Sequence, residues 1–166
     1  HMMFQGTSSR DSMEIARLID SCGGHMGAFT SRDYTFFQFT VLDDYATFAL
    51  DLLGDVLLYS TFPDDDLENE KRVVVREIAA GVDDPVDRAH ALMKKTAWAD
   101  HPLGRNVAGD AATVESMTRE DVIYFVHEHY LPNRMIVSAA GNVEHLDFLA
   151  QVRDALWRTI GENPMP

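Results

Sequence analysis

The sequence predicts an α+β domain in which helices cover a mainly antiparallel sheet, and three observations carry that expectation. Residues 26–30 and 34–42, the second dense in Phe36, Phe37, Phe39 and Val41, flank a Ser31-Arg32-Asp33 turn and read as a hairpin-like pair. Residues 134–141, RMIVSAAG, read as a buried strand far from that pair, with helical patterns between them. The chain has 166 residues and is 46% hydrophobic, enough for one full core. A single domain over 1–160 is expected, with 161–166, which includes Asn163-Pro164-Met165-Pro166, as a linker stub.

Taken in order, Ser8 or Ser9 is placed to cap a helix over 9–22, with Met13, Ile15, Ala16, Leu18 and Ile19 as its apolar stripe and Gly23-Gly24 as its stop. After the hairpin, Asp43 or Asp44 caps a helix over 45–59, in which Ala49, Leu50, Leu53, Val56 and Leu57 recur at helical spacing. Pro63 and then Asp64, Asp65 and Asp66 mark the start of an acidic helix, because an N-terminus favours proline ahead of it and negative charge in its first turn. Asp83-Asp84-Pro85 breaks the chain before a helix over 86–99. A loop follows at 100–106, then a short helix over 110–116. A capping-box-like Thr118-Arg119-Glu120-Asp121 opens a helix that buries Val122, Ile123, Phe125 and Val126. The last helix is expected over 146–160.

Within the acidic helix, Glu70 and Glu77 lie seven residues apart, which returns the second carboxylate to within about 20° of the first. Val73-Val74-Val75 between them is expected to face a core. This helix alone leaves two readings open: a solvated face whose acids pair with Lys71, Arg72 and Arg76, or a site that uses two stacked carboxylates. Composition narrows the partners. Lys and Arg number 14 and Asp and Glu 27, a net charge of −13, which argues against nucleic acid or an anionic membrane. A cationic peptide suits that charge, as does the plain role of keeping the protein soluble. No stretch is apolar enough for a membrane span. The single cysteine, Cys22, excludes an internal disulfide and reads as a buried thiol. His127 and His129 form an H-x-H on a helix, which points the two rings about 200° apart and unfits them for one metal. His90 has no second ligand near it in sequence.

The N-terminus reads His1-Met2-Met3-Phe4-Gln5-Gly6-Thr7, which resembles the tail of the H-x-x-E-H zinc helix of the pitrilysin/insulinase family, the group that includes the mitochondrial processing peptidases. Residues 23–35, GGHMGAFTSRDYT, are similar to that family's strand pair, and His101-Pro102-Leu103-Gly104-Arg105 to its H-P-L-G-R loop. Tyr130, Pro132, Asn133 and Met135, followed by Ala140-Gly141-Asn142-Val143, are similar to its closing strand. The resemblance implies a zinc metalloendopeptidase domain. In the motif two histidines bind Zn2+, the glutamate between them is the general base, and a third ligand is a glutamate about 76 residues later. It therefore implies His1 and Glu77 as metal ligands and Glu70 as the carboxylate that supports them. It also implies that the strand of Gly27, Ala28, Phe29 and Thr30 lies against a peptide or protein substrate, and that a second pitrilysin-like domain or subunit completes the cleft.

Two departures temper what the resemblance implies. The sequence opens on the last His of the motif, so the first His and the general-base Glu are expected upstream of His1, and the chain alone is expected not to hydrolyse peptides. Gly27 stands where the family usually has Asn. The alternative is a family paralogue without catalytic activity, acting as a binding or assembly subunit.

Overall fold

The computed structural model describes residues 1–157, so the end of the last expected helix and the stub at 161–166 lie outside the described residues. Helix α1 (Ser12–Ser21) starts later than the serines predict. Ser9 donates its hydroxyl to Asp55, and the Thr7 hydroxyl oxygen accepts the backbone N–H groups of Ser9 and Arg10, which closes a turn there. Asp11 is the cap instead, accepting the Glu14 N–H at 2.7 Å. Gly23 ends the helix with φ +62°, the left-handed conformation that glycine adopts without a Cβ penalty.

Strands β1 (His25–Thr30) and β2 (Thr35–Thr40) pair antiparallel, with Gly27 opposite Gln38 and Phe29 opposite Phe36. Helix α2 (Ala46–Tyr59) follows a 3-10 turn at Asp43–Tyr45, and neither aspartate caps it. Asp43 instead accepts from the Asn142 amide at 2.5 Å, and that hydrogen bond holds its carboxyl below the usual carboxylate range. Helix α3 (Asp64–Asp83) is entered through Phe62, which is buried at φ 50°, an uncommon conformation for an aromatic residue. Arg119 fixes that bend by donating to the carbonyls of Thr61 and Phe62, both at 2.8 Å.

Helices α4 (Pro85–Ala97), α5 (Ala111–Ser116) and α6 (Arg119–His129) follow, and α6 carries the expected capping box between Thr118 and Asp121. Helix α7 (His145–Val152) runs on into a π-helical turn at Arg153–Trp157. The core lies where α1, α2 and that last turn meet, around Ile15, Leu52, Val56 and Leu156. Gly54 lets α2 approach the turn, since a Cβ there would stand 2.6 Å from the Ala155 carbonyl oxygen.

Three further expectations are corrected. Residues 134–141 are not a buried strand: they run on from a 3-10 turn at Pro132–Arg134 without ladder partners, and Ile136 is 97% exposed. Their alternation is real, with Met135 and Val137 half-buried, but a strand needs a neighbour, and the nearest sheet edge, β2, faces them across a groove. The sheet among the described residues is therefore only β1 and β2. Val73-Val74-Val75 does not face a core: Leu67 is the buried residue of α3, and Val73 is exposed, because α3 rests on α4, α5 and the N-terminal turn and leaves the rest of its surface open. Phe125 is likewise exposed on α6, where its ring packs on His129.

Candidate metal centre

His1 precedes a single 3-10 turn, Met2–Phe4, rather than an α-helix. The turn is pinned from below, since Met2 and Met3 are buried and the Ser60 hydroxyl donates to the Met3 carbonyl at 2.8 Å. Beyond it, Asp55 gathers three donors: the Thr7 hydroxyl at 2.9 Å, the Ser9 hydroxyl at 3.1 Å and the Arg10 guanidinium at 2.5 Å. The largely covered Asp55 carboxylate, 11% exposed, is tolerable because each donor answers it. Together these contacts fix where residues 1–11 lie, and so where the His1 ring can reach.

That ring lies along one face of α3. Its Nδ1 is 2.8 Å from Glu70 Oε2, and its Nε2 is 3.5 Å from Glu77 Oε2. The i, i+7 stacking read from sequence thus places one carboxylate on each ring nitrogen. Gln5, which the sequence did not single out, donates its side-chain amide to the other Glu70 oxygen at 2.8 Å. Glu70 is consequently held from two sides and is the less exposed acid, at 18% against 56% for Glu77.

Glu70 accepts a proton-bearing Nδ1, which leaves Nε2 directed at the Glu77 carboxylate. A cation placed between the Nε2 lone pair and the Glu77 carboxylate would be held by both. The residues fit a zinc ion as far as they go. Two donors of a tetrahedral zinc stand roughly 3.3 Å apart for bond lengths near 2.0–2.1 Å, close to the 3.5 Å between Nε2 and Glu77. A histidine whose second nitrogen is fixed by a carboxylate is the usual support of a zinc-bound imidazole. Among the described residues no group of three or more His, Cys, Asp or Glu side chains is placed to hold a metal by itself.

The remaining candidates fall elsewhere. Gly27, Ala28, Phe29 and Thr30 lie on β1, whose outer edge is unpaired because β1 bonds only to β2; among the described residues no hydrogen bond or ion pair ties this strand to His1. His129 Nδ1 lies 3.2 Å from the Arg134 guanidinium, and Cys22 is buried, its thiol directed at the Ile19 carbonyl. Arg32 at the hairpin turn donates to the carbonyls of Leu103 and Arg105, tying the 101–105 loop to the end of β1. No helix among the described residues is long and apolar enough to cross a membrane.

A model of the insulinase family (peptidase family M16) matches residues 1–111, and one described as the peptidase M16 inactive domain matches residues 116–160. The uncharacterized zinc protease YmxG of Bacillus subtilis is 40% identical over 143 residues, covering 86% of this chain and 35% of that protein. A protein of Arabidopsis thaliana named as a probable mitochondrial-processing peptidase subunit beta is 39% identical, over 92% of this chain and 29% of its own length. The chain thus spans about a third of the length of the curated relatives it matches. Among solved structures, a protease from Helicobacter pylori superimposes with a TM-score of 0.88 at 22% identity, over 93% of this chain and 38% of that one, a likeness of fold.

Proposed function

The chain belongs to the insulinase family of peptidases, family M16, and from that premise we propose that it supplies one half of a zinc site in a metalloendopeptidase. The observation that carries the proposal is His1 seated between Glu70 and Glu77. His1 Nε2 and Glu77 serve as two ligands. Glu70 sets the imidazole tautomer and turns Nε2 outward, and Gln5 steadies Glu70. A further His and the general-base Glu come from polypeptide ahead of His1. Zinc, when bound, supplies Lewis acidity toward water and a peptide carbonyl. The free edge of β1 at Gly27–Thr30 offers main-chain hydrogen bonds to an extended peptide, and a cationic peptide suits the charge of −13. A second domain or subunit of the same type closes the cleft.

Metal analysis and calorimetry test this on the chain and on a native-sequence form extended ahead of His1. The extended form is expected to bind one zinc per chain, and Glu77→Gln to abolish that binding. An extended form that folds and binds no zinc refutes the proposal. It would leave the second reading, a subunit without catalytic activity, which Gly27 and the inactive-domain match over 116–160 favour.

A further inference from the structure

We propose that His25 fixes the register of an extended peptide on the free edge of β1, by selecting a hydrogen-bond acceptor on the peptide side chain that comes to lie opposite Gly27. The proposal rests on the reading that this edge receives an extended peptide, and it holds whether or not that peptide is then cleaved.

The pairing of the hairpin sorts its side chains onto two faces. Phe37 and Phe39 pack on the core, as does Met26, which lies opposite Phe39. His25 and Gly27 therefore stand on the other face, opposite the exposed Thr40 and Gln38. There the His25 ring leans along the strand over Gly27, with its Nε2 3.6 Å from the point where a Cβ at residue 27 would stand. Beyond its chain neighbours no other atom comes within 4 Å of that point, so packing does not demand a glycine. Nor does the backbone, since Gly27 is not among the glycines with positive φ. A glycine inside a strand often marks the close approach of another group, and the group here is the imidazole.

Among the described residues the ring has no hydrogen bond or ion pair. Gln38 and Thr40 are engaged with each other, the Gln38 amide donating to the Thr40 hydroxyl at 3.2 Å. The imidazole is thus free to bond an incoming group. A strand added to the edge places one residue directly opposite Gly27, with its Cβ about 4.5–5.5 Å away on the same face. Gly27 offers it no side chain, so the incoming side chain meets the His25 ring instead. Neutral imidazole has one N–H and the charged form has two, so an acceptor bonds it in either state, whereas a donor bonds only the neutral form. Asp, Glu, Asn and Gln suit this place, and Lys and Arg do not. Main-chain hydrogen bonds repeat along an edge and specify register weakly where the strand is polar or glycine-bearing. One selective position removes that freedom. The charge of −13 draws cationic peptides to the molecule as a whole, and His25 decides where along them β1 pairs.

Peptide binding to the native protein at its full length, stripped of metal so that nothing is cleaved, tests the assignment. The probes are cationic peptides of about ten residues, enough to span a strand, carrying Gln, Leu or Lys at each position in turn. Fluorescence anisotropy reads their affinity. One position should prefer Gln over Leu by about five- to tenfold, the effect of one hydrogen bond, with Lys weakest there. His25→Leu should abolish that preference and leave the other positions as they were, and His25→Gln, which keeps a donor, should retain part of it. Melting temperatures should not move, because the side chain is exposed; a merely structural role would shift them and weaken every peptide alike. A preference that survives His25→Leu, or no position with a preference, overturns the proposal. If bound peptide still slows amide exchange in β1, the edge reading stands without His25. If no peptide slows those amides, the edge reading and the proposal fall together.

Discussion

Removing the Glu70 carboxylate isolates the part of the proposed centre that orients and does not ligate. In Glu70→Ala the His1 Nδ1 loses its 2.8 Å acceptor, and Gln5 loses its partner as well. The ring then turns freely about a side chain that is 46% exposed, and Nε2 faces Glu77 only part of the time. Loss of such a supporting carboxylate weakens zinc binding by about 10- to 100-fold, which is about 1.4–2.7 kcal/mol. Glu70→Gln keeps an acceptor oxygen for Nδ1 but turns an amide toward the Gln5 amide, which Gln5 relieves by rotating its own carbonyl inward; the loss should be about tenfold at most. Gln5→Leu should cost a few-fold alone and nothing further on top of Glu70→Ala, because it acts only through that carboxylate. The assay is zinc titration calorimetry on the upstream-extended protein. Zinc binding by Glu70→Ala within about twofold of the parent, with the fold intact, would refute the idea that His1 is held through Glu70.

Two further predictions concern the frame that carries His1. Asp55→Ala strands the buried Thr7 hydroxyl and the Arg10 guanidinium, and should lower stability in urea unfolding by about 2–4 kcal/mol, with Asp55→Asn losing less; a loss below about 0.5 kcal/mol would show that Asp55 does not anchor this segment. Gly54→Ala puts a methyl 2.6 Å from the Ala155 carbonyl oxygen and should cost about 1–3 kcal/mol by the same measurement, whereas a neutral result would contradict the close approach of α2 to residues 153–157.

The parts of the fold that depend on nearest neighbours in sequence were legible. Helix spacing located α2, α3, α4 and α6 to within a few residues, and the Thr118–Asp121 box and the turn between β1 and β2 were readable as local chemistry. The i, i+7 offset of Glu70 and Glu77 likewise placed them on one face. Legibility stopped where an outcome depended on groups distant in sequence. The serines ahead of α1 looked like caps because nothing local reveals that Asp55, 46 residues away, claims Ser9. RMIVSAAG carries strand composition, yet composition cannot provide a neighbouring ladder. Val73 to Val75 looked buried because three valines usually are, whereas burial is decided by what lies opposite. Gln5 gave no signal, since only the folded turn brings its amide to Glu70.

The packing of the hairpin bears on its open edges. A hairpin on its own is marginal in water, and here β1 and β2 are held chiefly from one side, by Phe37 and Phe39 on the core and by the contacts of Phe37 with Phe4 and Tyr130. The Tyr130 phenol is pushed up by its burial while hydrogen-bonded to Thr35 at the edge of the groove that β2 faces. Both outer edges of the pair are open among the described residues, one on β2 beside the groove and one at Gly27–Thr30. An extended peptide should therefore protect backbone amides of both β1 and β2 in hydrogen–deuterium exchange, and protection confined to β1 would show that the edge at Gly27–Thr30 alone receives it.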